Sequence, residues 1–252
     1  MLPEVTLEEL GREGFILYQN REGFRFGTDS VLLAWFTASF IPRKGKVRIL
    51  ELGAGCGGAA MCLAARLAEL KTDYLMDLAE IDPVSCEILE KNIQENGLSG
   101  KVKAYCCDIR SMPGEILSSQ YDIVFANPPY YPSSSGEKSK NARRNTARVA
   151  GDSTYDDFAL AASSRLIPSA GIYMVVIDGA FSGKMMDSYR NAGINISRVM
   201  PVYPNRSKNA RLTLIAGRRR MSEETKILPA LYLDDEDAMR RIYEEEHQDC
   251  FI

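Results

Sequence analysis

Val47-Arg48-Ile49-Leu50-Glu51-Leu52 runs straight into Gly53-Ala54-Gly55-Cys56-Gly57-Gly58, and an apolar-rich stretch follows from about Ala59 to Leu70. This order predicts a buried strand, a tight glycine loop and a helix. Glycine lets the backbone turn sharply and approach a ligand where a Cβ would clash. The helix start adds unpaired N–H groups and the positive end of a dipole. The loop reads G-x-G-x-G with Glu51 in front. It lacks the G-x-G-x-x-G spacing of dinucleotide sites and the G-K-[ST] of a phosphate cradle. A glycine loop alone fits either a ligand site or a plain turn, so its neighbours decide.

The next predicted strand ends in Glu80-Ile81-Asp82, about twenty-odd residues past the glycines, where an acid is placed to accept from ribose hydroxyls. Asp82 precedes Pro83 and suits a helix N-cap, which leaves Glu80 as the better ribose ligand. A third strand, 102–107, ends in Asp108, whose carboxylate is placed to accept an adenine amino hydrogen. A fourth, Tyr121 to Ala126, runs into Asn127-Pro128-Pro129-Tyr130. Two prolines cannot extend a sheet, so the chain leaves it there. An amide, exposed carbonyls and an aromatic ring then stand together, a set suited to a planar group bearing an NH2. Read alone, the tetrapeptide fits a rigid turn as well. Four successive strand ends carrying polar groups change the balance, because open α/β sheets bind ligands at those ends.

These residues resemble the class I S-adenosylmethionine (SAM)-dependent methyltransferases, in the group with an N-P-P-Y amino-methylating motif. The resemblance implies a Rossmann-like α/β fold, a seven-stranded mostly parallel sheet with helices on both faces and a last antiparallel strand at 211–216. It implies that Glu51, Gly53, Ala54, Gly55 and Gly57 face the methionine part of SAM, Glu80 its ribose and Asp108 its adenine. Asn127, Pro128, Pro129 and Tyr130 would hold the target amine. Phe24-Arg25-Phe26-Gly27-Thr28-Asp29-Ser30-Val31-Leu32-Leu33-Ala34 further resembles the N-terminal signature of bacterial tRNA adenine N6-methyltransferases, where it lies over the cofactor and puts Asp29 near it. The likeness spans roughly residues 12–220. RNA, and tRNA in particular, is the partner it implies, with transfer to adenine N6 in an anticodon loop. Protein glutamine N5-methylation of the release-factor type poses the same chemical problem. DNA adenine methylation also stays open, as does an inactive nucleic-acid-binding module.

Length and charge bound these readings. The chain has 252 residues, enough for one α/β domain with a large core. Three segments are expected: residues 1–45 as an N-terminal hairpin and helix, 46–220 as the methyltransferase domain, and 221–252 as an acidic extension. From Met221 onward there are ten acids and three bases, a net −7 against −3 for the whole chain. The rest therefore carries +4. Two basic clusters stand out: Lys138, Lys140, Arg143, Arg144 and Arg148 just after N-P-P-Y, and Arg206, Lys208, Arg211 with Arg218, Arg219 and Arg220. Both fit a phosphate-backbone footprint or solvated loops. The six cysteines show no C-x-x-C pair, so no metal site is expected and a reducing cytoplasm fits. No signal-peptide pattern and no membrane-spanning run is read. His247 is the single histidine, which argues against hydrolase triads.

Element by element, a hairpin is expected from 15–20 and 23–26, then a helix from Asp29 to Phe40. Strands are expected at 47–52, 74–81, 102–107, 121–127 and 172–177. Helices are expected at 58–70, 84–96, 112–118, from a cap at Asp152 or Ser153 to Leu166, and at 181–191. A closing pair is read at 194–202 and 211–216, and an acidic helix from about Asp235 to His247. Alternation of this kind builds a mainly parallel sheet covered on both faces.

Overall fold

The computed structural model describes residues 4–21, 26–42, 45–129, 154–168, 170–219 and 224–244. In chain order the elements are β1 (Val5–Glu9), β2 (Ile16–Asn20), α1 (Thr28–Ala38), β3 (Val47–Leu52), α2 (Gly58–Glu69), β4 (Tyr74–Glu80), α3 (Pro83–Glu95), β5 (Val102–Cys106), α4 (Gly114–Leu117) and β6 (Ile123–Ala126). There follow α5 (Tyr155–Arg165), β7 (Ile172–Asp178), a 3-10 turn (Gly179–Phe181), α6 (Ser182–Asn191), β8 (Ile194–Tyr203), β9 (Leu212–Arg219), β10 (Lys226–Ile227), β11 (Leu231–Tyr232) and α7 (Glu236–Tyr243).

Among the described residues, nine strands form the main sheet, in the order β10-β8-β9-β7-β6-β3-β4-β5 with β11 also on β8. From β5 to β7 all neighbours are parallel, and β9 enters antiparallel between β7 and β8. The seven expected strands are present with their one antiparallel member. Two short strands from beyond residue 221 bring the total to nine. β10 and β11 pair in parallel with successive parts of β8's outer edge. Parallel central strands are apolar on both faces, and β6 and β7 are buried almost throughout. One face packs on α1, α2 and α3 through Phe36, Leu63 and Leu89; the other packs on α5 and α6 through Phe158, Ala162 and Met185.

Several local readings change. The strand paired with Ile16–Asn20 is Val5–Glu9, upstream of it; residues 23–25, most of the segment expected to form the other arm, lie outside the described residues. Helix α1 is buried from Ser30 to Ala38, so it has no solvent stripe to read. The cap of α5 is Thr154, in a capping box: its hydroxyl accepts from the Asp157 N–H, and the Asp157 carboxylate accepts from the Thr154 N–H. Asp82 caps α3 by accepting from the Ser85 N–H at 2.9 Å, as its place before Pro83 predicts.

The hairpin is tied to the sheet domain by side-chain amides. Asn92 of α3 is fully buried; its Oδ1 accepts from the Tyr18 N–H at 2.7 Å and its Nδ2 donates to the Tyr18 carbonyl at 2.8 Å. Asn96 does the same for Ile16, at 2.8 Å each way. The helix repeat i, i+4 spans about 6 Å and the strand repeat i, i+2 about 6.8 Å, so the two ladders match. Asn92 also donates to the Cys56 carbonyl of the glycine loop at 2.8 Å. Helix α7 is held from the opposite direction. Arg12 pairs with Glu69 at 2.6 Å and donates to the Ile242 carbonyl at 3.2 Å, and Arg66 donates to the same carbonyl. Two guanidiniums thus meet the negative end of that helix.

Candidate active site

The glycine loop sits at the carboxyl end of β3. Gly53, Gly55 and Gly57 have φ of +70°, +56° and +88°, in the left-handed region. At Gly57 the positive φ favours glycine, and a Cβ there would lie 2.6 Å from Leu89 Cδ1 and have to push that methyl aside. The Gly53 and Ala54 N–H groups donate to the Ala79 carbonyl at 2.8 and 3.0 Å. The loop is therefore hung from β4.

Glu80, the last residue of β4, completes that attachment. Its Oε2 accepts from the Gly55 N–H at 2.7 Å and its Oε1 from the Asp82 N–H at 2.8 Å. Each oxygen keeps a second lone pair for hydroxyl donors. Burial pushes its carboxyl above the ordinary value, against these hydrogen bonds. Glu51 lies deeper, 2 % exposed, and its Oε2 is buried without a partner among the described residues. Burial first, and the neighbouring Glu80 charge second, push its carboxyl well up, while an Ala60 N–H opposes them. An unpartnered buried carboxylate oxygen beside a second acid fits a cationic ligand, and the donor set fits the sulfonium and ammonium groups of SAM.

Asp108 follows β5, but its carboxylate already holds Arg110: Nη2 donates to Oδ2 at 2.6 Å and the backbone N–H to Oδ1 at 2.8 Å. These bonds draw its carboxyl below the usual range. An adenine amino group would share oxygens with that guanidinium.

At the end of β6 the chain enters Asn127, Pro128 and Pro129. Asn127 Nδ2 donates to Asp29 Oδ2 at 3.1 Å, and Asn127 Oδ1 is buried with no partner among the described residues. The N-terminal segment thus reaches the N-P-P stretch directly. Two aromatic rings line the loop: Phe158, which sequence reasoning does not single out, and Phe26, which belongs to the N-terminal signature quoted above. Phe158 of α5 would stand 3.3 Å from a Cβ on Gly53, and Phe26 3.1 Å from one on Gly58. The spacing of Phe158 resembles that of an ordinary core residue, so only the fold reveals it. Phe26 is itself placed by its N–H donating to Gln19 Oε1 at 2.9 Å.

Tyr130 and the whole first basic cluster, Lys138, Lys140, Arg143, Arg144 and Arg148, lie outside the described residues. The second cluster divides. Arg206, Lys208 and Arg211 are exposed between β8 and β9, at the same end of the sheet as Asn127. Arg206 stands 4.6 Å over the Tyr232 ring, which stacks on Tyr203 at 5.6 Å. Arg218 and Arg219 lie at the other end of β9, seven and eight residues from Arg211, or roughly 24–27 Å away. Among the described residues no group of three His, Cys, Asp or Glu is placed to hold a metal ion, and no helix is long and apolar enough to cross a membrane.

The sequence matches the family model for the methyltransferase small domain over residues 27–151. A protein from Bacteroides fragilis named tRNA1(Val) (adenine(37)-N6)-methyltransferase is 29 % identical over 202 residues, 80 % of each chain. One of the same name from Enterobacter sp. strain 638 is 32 % identical over 174 residues, 67 % of this chain and 66 % of its own. Among solved structures, a predicted O-methyltransferase from Agrobacterium tumefaciens superposes with a TM-score of 0.64 at 15 % identity, covering 86 % of this chain and 99 % of its own. A 16S rRNA N2 G1207 methyltransferase from T. thermophilus, solved with AdoMet and guanosine, gives 0.57 at 18 % identity, covering 87 % and 51 %. At these identities the two structures speak for the fold.

Proposed function

Since the chain belongs to the class I SAM-dependent methyltransferases, we propose that it methylates the exocyclic N6 of an adenine in RNA, in a tRNA anticodon loop. One observation carries the reading most: the buried, unpartnered Oδ1 of Asn127 at the end of β6. A buried acceptor left unmade costs about 1–3 kcal/mol, which an incoming N–H recovers. The names of the relatives add the substrate, with adenine 37 as the position.

When bound, SAM supplies a methyl group on a positively charged sulfur, already activated for transfer. The remaining difficulty is the target nitrogen, whose lone pair is conjugated with the ring. Asn127 Oδ1 and the Pro128 carbonyl would accept its two hydrogens, turn the nitrogen towards a tetrahedral shape and aim the lone pair. Tyr130 would stack on the base. Glu51 and the Gly53–Gly55 backbone would hold the methionine part, Glu80 the ribose and Asp108 the adenine. Orientation and charge placement then supply most of the rate, without a histidine base. A loop base is already partly unstacked, which lowers the cost of bringing it into the pocket. Arg206, Lys208 and Arg211 would meet the backbone near the target, because β6 and β8 are three strand spacings, roughly 14 Å, apart. A cytoplasmic location goes with such a substrate.

The test offers labelled SAM to unmodified tRNA, duplex DNA and a release factor side by side, with nucleoside analysis of the product. Label in N6-methyladenosine from tRNA is expected. Label in glutamine, or in DNA alone, overturns the reading.

A further inference from the structure

We infer that Asp29 is a positioning residue for the target amine: it locks the Asn127 amide so that the site offers only a hydrogen-bond acceptor. This rests on the methyltransferase reading but assigns Asp29 to the acceptor side of the reaction, rather than to the cofactor. The lock follows from donor chemistry. An ionised carboxylate accepts and never donates, whereas an amide has one end of each kind. Only the Asn127 NH2 can therefore face Asp29, and it does so at 3.1 Å. Reversing the amide would set its carbonyl against a carboxylate and lose the bond as well. The amide's other end is thereby committed. Its Oδ1 is the vacant buried acceptor described above.

Asp29 is itself held firmly. It is the second residue of α1, in the first turn of that helix. Its Oδ1 accepts from the Ser30 N–H at 2.8 Å. Gly27 leaves room for that oxygen, since a Cβ there would lie 3.2 Å from it. The helix behind it is buried from Ser30 to Ala38 and is not free to rotate. The lock joins two segments 98 residues apart, so neither motif reveals it when read alone.

The consequence is a choice between ligands of one shape. A purine with a 6-amino group donates to Oδ1. A purine with a 6-oxo group presents a second acceptor to it and is refused. Freed of Asp29, Asn127 can turn its NH2 to the cleft and take the 6-oxo base.

Asp29→Asn is the test, because it keeps size and removes the one-way character of the partner. Full-length protein is measured for SAM affinity, for kcat and KM on an anticodon stem-loop, and for binding of adenosine against inosine at the target position with S-adenosylhomocysteine present. We expect kcat to fall about 10- to 100-fold and SAM affinity to stay within about twofold. Discrimination against inosine should drop from about tenfold or more to about threefold or less. Loss of SAM affinity by the same factor as kcat returns Asp29 to the cofactor and overturns the proposal. Unchanged kcat and unchanged discrimination overturn it as well. A second readout needs no turnover. The Asn127 side-chain NH2 resonance, assigned by its disappearance in Asn127→Ala, should exchange slowly with solvent in the wild type and quickly in Asp29→Asn. Fast exchange in both sinks the lock. If the wild type methylates no RNA, the substrate reading fails while this exchange measurement still decides the role of Asp29.

Discussion

The two halves of the ligand end are built differently. Around β3 and β4 the polar groups are fastened to backbone: Glu80 takes the N–H groups of Gly55 and Asp82, and the loop hangs from the Ala79 carbonyl. Beyond β6 the key amide is tied to one side chain from a distant helix, and the basic loop between β8 and β9 is exposed. Backbone attachments hold a pocket of fixed shape whether or not it is filled. Side-chain attachments hold an orientation while leaving an acceptor for the incoming group to satisfy. On the function proposed above, one half would be finished in advance and the other finished by its target.

The sharpest way to break this contrast is Asn127→Ala. It should lower methyl transfer by about 10²–10³-fold or more, with SAM affinity, read by calorimetry, within about twofold. Joint loss of both would mean that the halves are one unit. Next in size is Gly57→Ala, which must force a side chain into the left-handed region and against Leu89. It should cost about 2–4 kcal/mol in denaturant unfolding and weaken SAM binding; a neutral result would mean that the loop is not rigid.

Glu51→Gln should separate stability from binding. The Glu51 carboxyl is raised in the fold, so its contribution to stability is present at pH below the ordinary glutamate value and is lost as pH rises through the raised value. At neutral pH the ligand-free variant should therefore melt higher, by about 2–4 °C, which is what about 1 kcal/mol gives in a chain of this size. The difference should vanish in acid. SAM should bind the variant more weakly. A lower neutral-pH Tm would mean that Glu51 Oε2 has a partner after all.

The smallest effect concerns the basic residues. Arg206→Ala and Arg211→Ala should each reduce the salt slope of RNA binding by about one unit, and Arg218→Ala by none. Equal effects would erase the distinction between the two ends of β9.

Much of this is legible in the sequence because strand, turn and cap signals are local. The glycine loop, the helix cap at Asp82 and the departure of the chain at Pro128 are each written within a few residues. What escapes is non-local. Val5–Glu9 is a short strand whose partner lies beyond a turn, and β10 and β11 have two residues each, too few for a period. The cluster from Arg206 to Arg220 looks continuous because sequence distance ignores the length of an intervening strand. Phe158 sits beside Gly53 only once α5 has packed onto the sheet. The role of Asp108 is narrowed in the same manner, by an Arg110 two residues away whose direction the sequence does not state.

The paired amides of Asn92 and Asn96 carry a further consequence. A two-stranded ribbon exposes an open row of donors and acceptors, which is an invitation to another molecule's strand. Here a side chain of α3 and that of the residue capping its end occupy the places a third strand would take, at Tyr18 and Ile16. On the β2 side the ribbon is silenced by imitation: the places at Ile16 and Tyr18 are taken, so crowding the protein to high concentration should not zip copies together along that edge.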